Sequence, residues 1–254
     1  MALFLTFNSN KCLIYSHSEM NLPIPHSSLR MASEAATALR LLDAAEQLLA
    51  THGMDGTSVR MITAHARANI ASVTYHFGSK EGLIQAVFRR RLDWLNAERL
   101  RTLDALEKSA QGAPIKPSKI VDAFFGTLLR MGQNPDQGGP VFLQLLGRTM
   151  TEPSKFIDTL LAQEHEAVIK RFKRALIHSL PQVPKAEIVW RFHFMLGATA
   201  YAIAGADQLA LIAGLRTKAR ADQQIEQLQA RLMSFLLGGL RAPLPLHSSS
   251  ERGS

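Results

Sequence analysis

Thr57-Ser58-Val59-Arg60-Met61-Ile62, followed by Asn69-Ile70-Ala71-Ser72-Val73-Thr74-Tyr75-His76-Phe77 and Ser79-Lys80-Glu81, is the stretch that decides the fold. Val59, Ile62 and Ala66 recur at three-and-four spacing, as do Ile70, Val73 and Phe77, so each run presents one apolar face of a short helix. Thr57 and Ser58 offer an N-cap to the first helix and Asn69 to the second, because a short side-chain oxygen accepts an amide hydrogen that a helix start leaves unpaired. Only Arg67 and Ala68 separate Ala66 from Asn69, which leaves room for a tight turn. Gly78 breaks the second helix, and Ser79 caps a longer one carrying Leu83, Ile84, Val87 and Phe88 towards Trp94 and Leu103.

Upstream, Ala38, Leu41, Leu42, Ala45, Leu48 and Leu49 share one helical face with Asp43, Glu46 and Gln47 between them, and this helix is expected to end near Thr51-His52-Gly53. Residues 1–33 show no periodicity, and Pro23 and Pro25 interrupt any helix there, so they read as a disordered N-terminal extension. Met31, just before the first strongly helical segment, is an alternative start. Beyond a break from Gly112 to Pro117, helices are expected at 118–132, 139–151, 153–180, 185–213 and 221–237, with Gly238-Gly239 ending the last. No alternating strand pattern of useful length occurs. The fold class is therefore all-α: an N-terminal three-helix helix-turn-helix domain over 34–94, a larger helical domain over 95–240, and a disordered tail over 241–254.

The 254 residues are 46% hydrophobic and 20% charged, the balance of an ordinary globular protein. The net charge of +8 favours a polyanionic partner, yet ten Lys or Arg stand against nine Asp or Glu between Glu34 and Ala110, so charge alone does not name nucleic acid. A single cysteine, Cys12, excludes an intrachain disulfide and any multi-cysteine metal site, which suits the cytoplasm. The opening Met1 to Phe7 is too short for a signal-peptide core. The longest apolar stretch, Phe192 to Ala206, holds His193 and reads as a buried helix, so no membrane span is expected.

A helix that reads double-stranded DNA needs one buried face to hold it and an opposite face of short polar side chains that can reach base edges in the major groove. Residues 69–76 supply both: Ser72, Thr74, Tyr75 and His76 offer hydroxyls and an imidazole, and Ala71 permits close approach. Ser58, Arg60, Asn69 at the helix start, Tyr75 and Lys80 surround that helix with donors for phosphates. At this point the sequence resembles the tetracycline-repressor (TetR) family of bacterial transcription regulators. The resemblance is carried by Asp55-Gly56-Thr57-Ser58-Val59-Arg60-Met61-Ile62, by Val73-Thr74-Tyr75-His76-Phe77-Gly78-Ser79-Lys80-Glu81-Gly82-Leu83 and by Ala86-Val87-Phe88. It makes Ser72, Thr74, Tyr75 and His76 the candidates for groove or backbone contact, Lys80 the candidate phosphate clamp and Phe77 a core residue. One position departs: where the family usually has glycine in the turn, this chain has Arg67. Arginine adopts positive φ only at a cost, so the turn is strained, reshaped or an added phosphate contact.

Arg89 to Leu100 and Trp190 to Ala198 resemble the PsrA-like branch of that family, regulators linked to fatty-acid metabolism and related multidrug or stress responses. The resemblance implies a homodimer on a pseudo-palindromic operator, repression by default, and a small hydrophobic effector such as a fatty acid or acyl-CoA; a regulator of drug efflux or stress genes with another effector is the alternative. Helices 185–206 and 221–237 are the candidate dimer elements, with Ile225, Leu228, Leu232, Phe235 and Leu236 as the interface stripe and burial within one subunit as its alternative. Between the middle helices, Phe124, Leu128, Phe142 and Leu145 are expected to line an effector pocket, with Gln144, Arg148 and His193 as headgroup contacts. For His193, a satisfied core hydrogen bond is the competing reading. Glu164-His165-Glu166 diverge on a helix and read as a solvated face, as do Lys170, Arg171, Lys173 and Arg174. With no His-Glu-x-x-His, no paired Glu-x-x-His and no phosphate-cradling glycine loop, no metal or cofactor is expected; an enzyme, or an interaction protein without DNA binding, is the remote alternative.

Overall fold

The computed structural model describes residues 26–135, 138–151, 154–204 and 221–244, excepting the side chains of 26–30, 32, 150, 151 and 221–226. Among the described residues every regular element is helical, in keeping with the all-α expectation. The chain divides into residues 1–36 and residues 37–254. Of the first unit only the opening of α1 (His26–Gly56) is described. That opening corrects the expected extension over 1–33, whose last eight residues are helical. Pro25 is the last proline before the helix, and nothing from Ser27 to Ala38 stops a helix once it has begun. All that follows concerns the second unit.

Leu41, Ala45 and Leu49 of α1 are fully buried, and the helix is interrupted at Gly53 (φ 73°), where the sequence expects it to end. The buried Thr57 hydroxyl donates to the Gly53 carbonyl at 2.7 Å and the Leu48 carbonyl at 3.1 Å, which satisfies carbonyls that the interruption frees. Then come α2 (Val59–His65), α3 (Ile70–Phe77) and the long α4 (Lys80–Ala110). Ile62, Val73, Leu83 and Val87 meet the α1 residues in one core. Ile70, expected inward, is 50% exposed, because as the first residue of α3 it lies beyond the edge of that packing. Gly82 explains one position of the sequence signature: a Cβ there would lie 2.0 Å from the Phe77 carbonyl oxygen, so glycine lets the first turn of α4 press against the end of α3.

The larger part contains α5 (Pro117–Val121), a π turn (Asp122–Gly126) and α6 (Thr127–Gly132) in one run, then α7 (Gly139–Thr151), α8 (Lys155–Ser179), α9 (Lys185–Ala204) and α10 (Ala221–Leu240). Phe124 in the π turn meets Phe125, Phe172 and Phe192 edge-on at 4.8, 5.0 and 5.1 Å between ring centres. The expected continuation of α9 over 205–213 lies outside the described residues. α10 continues through Gly238-Gly239 to Leu240, past its expected end. Each glycine costs a helix about 1 kcal/mol relative to alanine. Against that, Leu240 is buried, and the Arg191 guanidinium donates to the carbonyls of Leu240 at 2.6 Å and Ala242 at 2.8 Å, satisfying the helix end.

Candidate nucleic-acid interface and ligand cavity

The turn between α2 and α3 is closed by two backbone bonds, from the Ala68 amide to the Thr63 carbonyl at 2.9 Å and from the Arg67 amide to the Ala64 carbonyl at 3.2 Å. That pair of bonds requires a left-handed residue just past the helix end, and Arg67 provides it with φ 50°. The arginine therefore keeps the geometry that glycine would give, with strain as the consequence. Arg40 of α1 donates from Nε to the Ala66 carbonyl at 3.1 Å and fastens the turn from outside.

Around this turn lie the expected contact residues of α2 and α3. Arg60, Thr74 and Tyr75 are exposed, Tyr75 at 69%, while Ser72 and His76 are half-buried and the Tyr75 and His76 rings meet edge-on at 4.8 Å. Ser58 and Asn69 are exposed but occupied: the Ser58 hydroxyl accepts the Met61 amide, and the Asn69 carbonyl oxygen accepts the Ala71 amide. They fix the two helix starts. Lys80 donates from Nζ to the Met54 carbonyl at 2.8 Å, which holds the ammonium at the rim and leaves two of its three N–H donors for a phosphate.

A small cavity of about 40 Å3 lies among the helices of the larger part, lined by Leu95 and Arg99 of α4, Phe124, Leu128, His165 of α8 and Thr199 of α9, among others. Of the residues expected to form a pocket, Phe124 and Leu128 line it. Phe142 and Leu145 are core instead, Phe142 edge-on to Phe88 at 6.1 Å. Gln144 and His193 are exposed, so His193 is neither a core residue nor a cavity residue. Arg148 points elsewhere, donating to the Thr51 carbonyl at 2.7 Å near the end of α1's first stretch. The polar groups the cavity does contain went unread in the sequence. Arg99 interrupts the apolar series Leu92, Leu95, Leu103 on α4, and His165 interrupts Leu161, Val168, Phe172 on α8; a polar residue within an apolar stripe was the available signal. His165 thus corrects the solvated-face reading, and Glu164 beside it pairs with Arg89 at 2.8 Å. Arg171 lies on the solvated side as expected and pairs there with Asp104 at 2.7 Å and Glu107 at 2.8 Å.

The helix-turn-helix and the cavity share α4. At its near end Glu46 of α1, 3% exposed, accepts from Arg90 at 2.5 Å and from Arg91 at 2.8 Å. Further along, the same helix presents Arg99 to the cavity. α7 makes a second link, because Leu146 lines the cavity while Arg148 holds the Thr51 carbonyl. α9 carries an exposed apolar stripe, Trp190, Phe194 and Tyr201 at 58%, 63% and 54%, with Phe235 of α10 at 68%. Leu232 and Leu236 of the expected interface stripe are buried in their own subunit, where α10 packs on α9; Leu228 is half-buried, and the Ile225 side chain lies outside the described residues. Among the described residues of that stripe Phe235 faces outward, because the helix turns Leu232 and Leu236 to its own core.

Two family descriptions match the sequence. A family described as "Bacterial regulatory proteins, tetR family" matches residues 41–87, and one described as "Tetracyclin repressor-like, C-terminal domain" matches residues 122–239. A TetR family transcription regulator from Marinobacter aquaeolei VT8 is similar in structure, with a TM-score of 0.50, 17% identity, and coverage of 80% of this chain and 97% of that one. A protein from Syntrophomonas wolfei assigned to the TetR family has a TM-score of 0.53 and 14% identity over 84% of this chain and 98% of its own. No curated protein matches the sequence. At such identities the structural likeness speaks for the fold; the two sequence matches, on the helix-turn-helix and on the helical part behind it, speak for the family. With a DNA-reading headpiece and a ligand-binding domain matched in order along one chain, this protein belongs to the TetR family of transcription regulators, whose members are not enzymes.

Proposed function

We propose that this regulator works in the cytoplasm as a homodimeric repressor, binding a pseudo-palindromic operator through Thr74, Tyr75, Ser72 and His76 and anchored to phosphates by Arg60 and Lys80. A small hydrophobic effector, of the fatty acid or acyl-CoA kind that the PsrA-like resemblance suggests, releases it. The observation that carries this reading is the single helix α4, which packs against α3 at one end and walls the cavity with Arg99 further along. A change in the cavity therefore moves the element on which the recognition helix rests, which is the differential coupling an effector needs. The exposed α9 stripe with Phe235 supplies the dimer face, since an apolar patch of that kind on a helix surface marks an association site. Two recognition helices one DNA turn apart follow from the two-fold symmetry.

The test is a gel shift with the protein's own upstream region, with and without dodecanoate and dodecanoyl-CoA, alongside sedimentation of wild type and Phe194→Glu. Retention of a discrete fragment, its release by either ligand and dissociation of the variant to monomers are the expected results. A wild-type monomer at micromolar concentration, or no retained fragment, refutes the reading.

A further inference from the structure

Arg99 is 3% exposed, yet no carboxylate among the described residues pairs with it. Three acidic neighbours along the surrounding helices are taken by other arginines: Glu98 by Arg101 at 2.6 Å, Asp122 by Arg130 at 3.0 Å and Glu164 by Arg89 at 2.8 Å. What Arg99 has instead are neutral acceptors. Nε donates to the Phe124 carbonyl at 2.9 Å, Nη1 lies 3.4 Å from Asn96 Oδ1, and the guanidinium carbon stands 3.9 Å above the Phe124 ring centre. The Phe124 carbonyl belongs to the π turn, a helix irregularity that recurs at functional sites. Burial alone pushes the guanidinium down to about 9, with no anion to hold it up. Across the cavity, His165 has a buried Nδ1 with no hydrogen-bond partner, and burial with the nearby Arg99 charge pushes the ring down to about 3, so it is neutral. A neutral imidazole can donate one N–H to an anion.

A buried cation without a counter-ion and a buried imidazole nitrogen without a partner, lining one cavity, are each costly on their own. One anion between them would satisfy both. We propose that this cavity receives the carboxylate of an acidic effector, with Arg99 as the pairing cation and His165 as a second donor, so that the effector is a free carboxylic acid with an apolar body. The proposal rests on the ligand-responsive reading above and sharpens it. At about 40 Å3 the cavity holds a volume of about three waters, enough for a carboxylate headgroup. The apolar body has no room in this conformation; it must displace the Leu95, Leu128 and Phe124 walls, which is how binding would be felt by α4.

The experiment compares dodecanoate and benzoate with methyl dodecanoate, dodecylamine and dodecanoyl-CoA, reading both the melting temperature of the full chain and its affinity for its retained operator. At least one carboxylate is expected to raise the melting temperature and change operator affinity, with the ester roughly tenfold to a hundredfold weaker, the contribution of hydrogen bonds to charged groups. Arg99→Met should abolish the carboxylate response while leaving DNA binding intact and the melting temperature equal or higher, because a cation held only for structure would leave the protein less stable when removed. Arg99→Lys keeps the charge and should retain a weakened response, which covers the case in which Arg99→Met does not fold. An ester, amine or CoA thioester as effective as the acids overturns the carboxylate assignment and leaves the ligand-responsive reading standing. No change in operator affinity with any of the five probes overturns both.

Discussion

Replacing Arg67 by glycine tests whether the helix-turn-helix of this chain stores strain. A left-handed backbone costs a residue with a Cβ about 1–2 kcal/mol, and Arg67 holds φ 50° in a turn closed by two backbone bonds. Glycine removes that cost but gives the unfolded chain more freedom, which offsets about 0.4–1 kcal/mol. The exposed Arg67 side chain makes no hydrogen bond within the described residues, so little else is lost. The net expectation is a gain of about 0.5–1 kcal/mol, or a melting temperature higher by about 1–4 °C for a chain of this size. Arg67→Ala serves as the control, because it removes the guanidinium and keeps the Cβ; it should be less stable than Arg67→Gly by about 1 kcal/mol. Operator binding over a salt series separates the second role. If the guanidinium also meets a phosphate, both variants lose about one unit of salt slope. Arg67→Gly melting at or below wild type, with alanine equal to glycine, would refute the strain argument.

Three further outcomes are expected. Lys80→Ala should weaken operator and random DNA alike and reduce the salt slope by about one unit, whereas Thr74→Ala should change sequence preference at constant slope; equal loss of specificity in both would contradict that division of labour. Glu46→Gln should lower the unfolding free energy in denaturant titration by about 2 kcal/mol, because Arg91 loses its buried carboxylate while Arg90 keeps Asp43 at 2.7 Å; a loss below about 0.5 kcal/mol would refute it. The His165 pKa is depressed in the folded chain to about 3, so below pH 6.5 the unfolded state binds the extra proton and stability falls as pH falls, by up to about 1.4 kcal/mol per unit. His165→Leu should flatten that slope between about pH 6.5 and pH 5, above the carboxylate range, and an unchanged slope there would mean the imidazole is already solvated.

The elements were legible where pattern and punctuation agreed. Ser58, Asn69 and Ser79 each cap the helix expected of them, and of the outcomes left open for Arg67 the left-handed, strained one holds. α10 ran past Gly238-Gly239 because a tertiary contact, Arg191 on the Leu240 and Ala242 carbonyls, outweighs two weak breakers, and no local signal encodes a partner so far along the chain. The cavity was misread for a related reason. Gln144, Arg148 and His193 look like polar intruders on apolar helices, but each sits at the edge of its stripe and turns out of the core or towards another element. Arg99 and His165 lie within theirs. Which carboxylates are already engaged, and hence that Arg99 has none, follows only from three-dimensional pairing.

The small size of the cavity bears on how sharply an effector could act. A ligand moves a regulator between states only by its preference for one of them, and carrying a population from about 1:99 to 99:1 takes about 5.5 kcal/mol of differential binding. In the closed conformation the roughly 40 Å3 beside Arg99 takes a headgroup and no tail. The carboxylate pairing is therefore open to both states, while burial of the apolar body is available only to the state in which the walls have moved. At about 0.8 kcal/mol per buried methylene, some seven methylenes supply the required preference. Short acids should then bind without releasing DNA, and release should set in as the chain approaches about seven methylenes, more steeply than binding itself. A series of straight-chain acids, followed both by melting temperature and by operator retention, would show the two curves separating; curves that rise together from the shortest acid would mean that Arg99 itself carries the switch, and that α4 moves when the charge is paired.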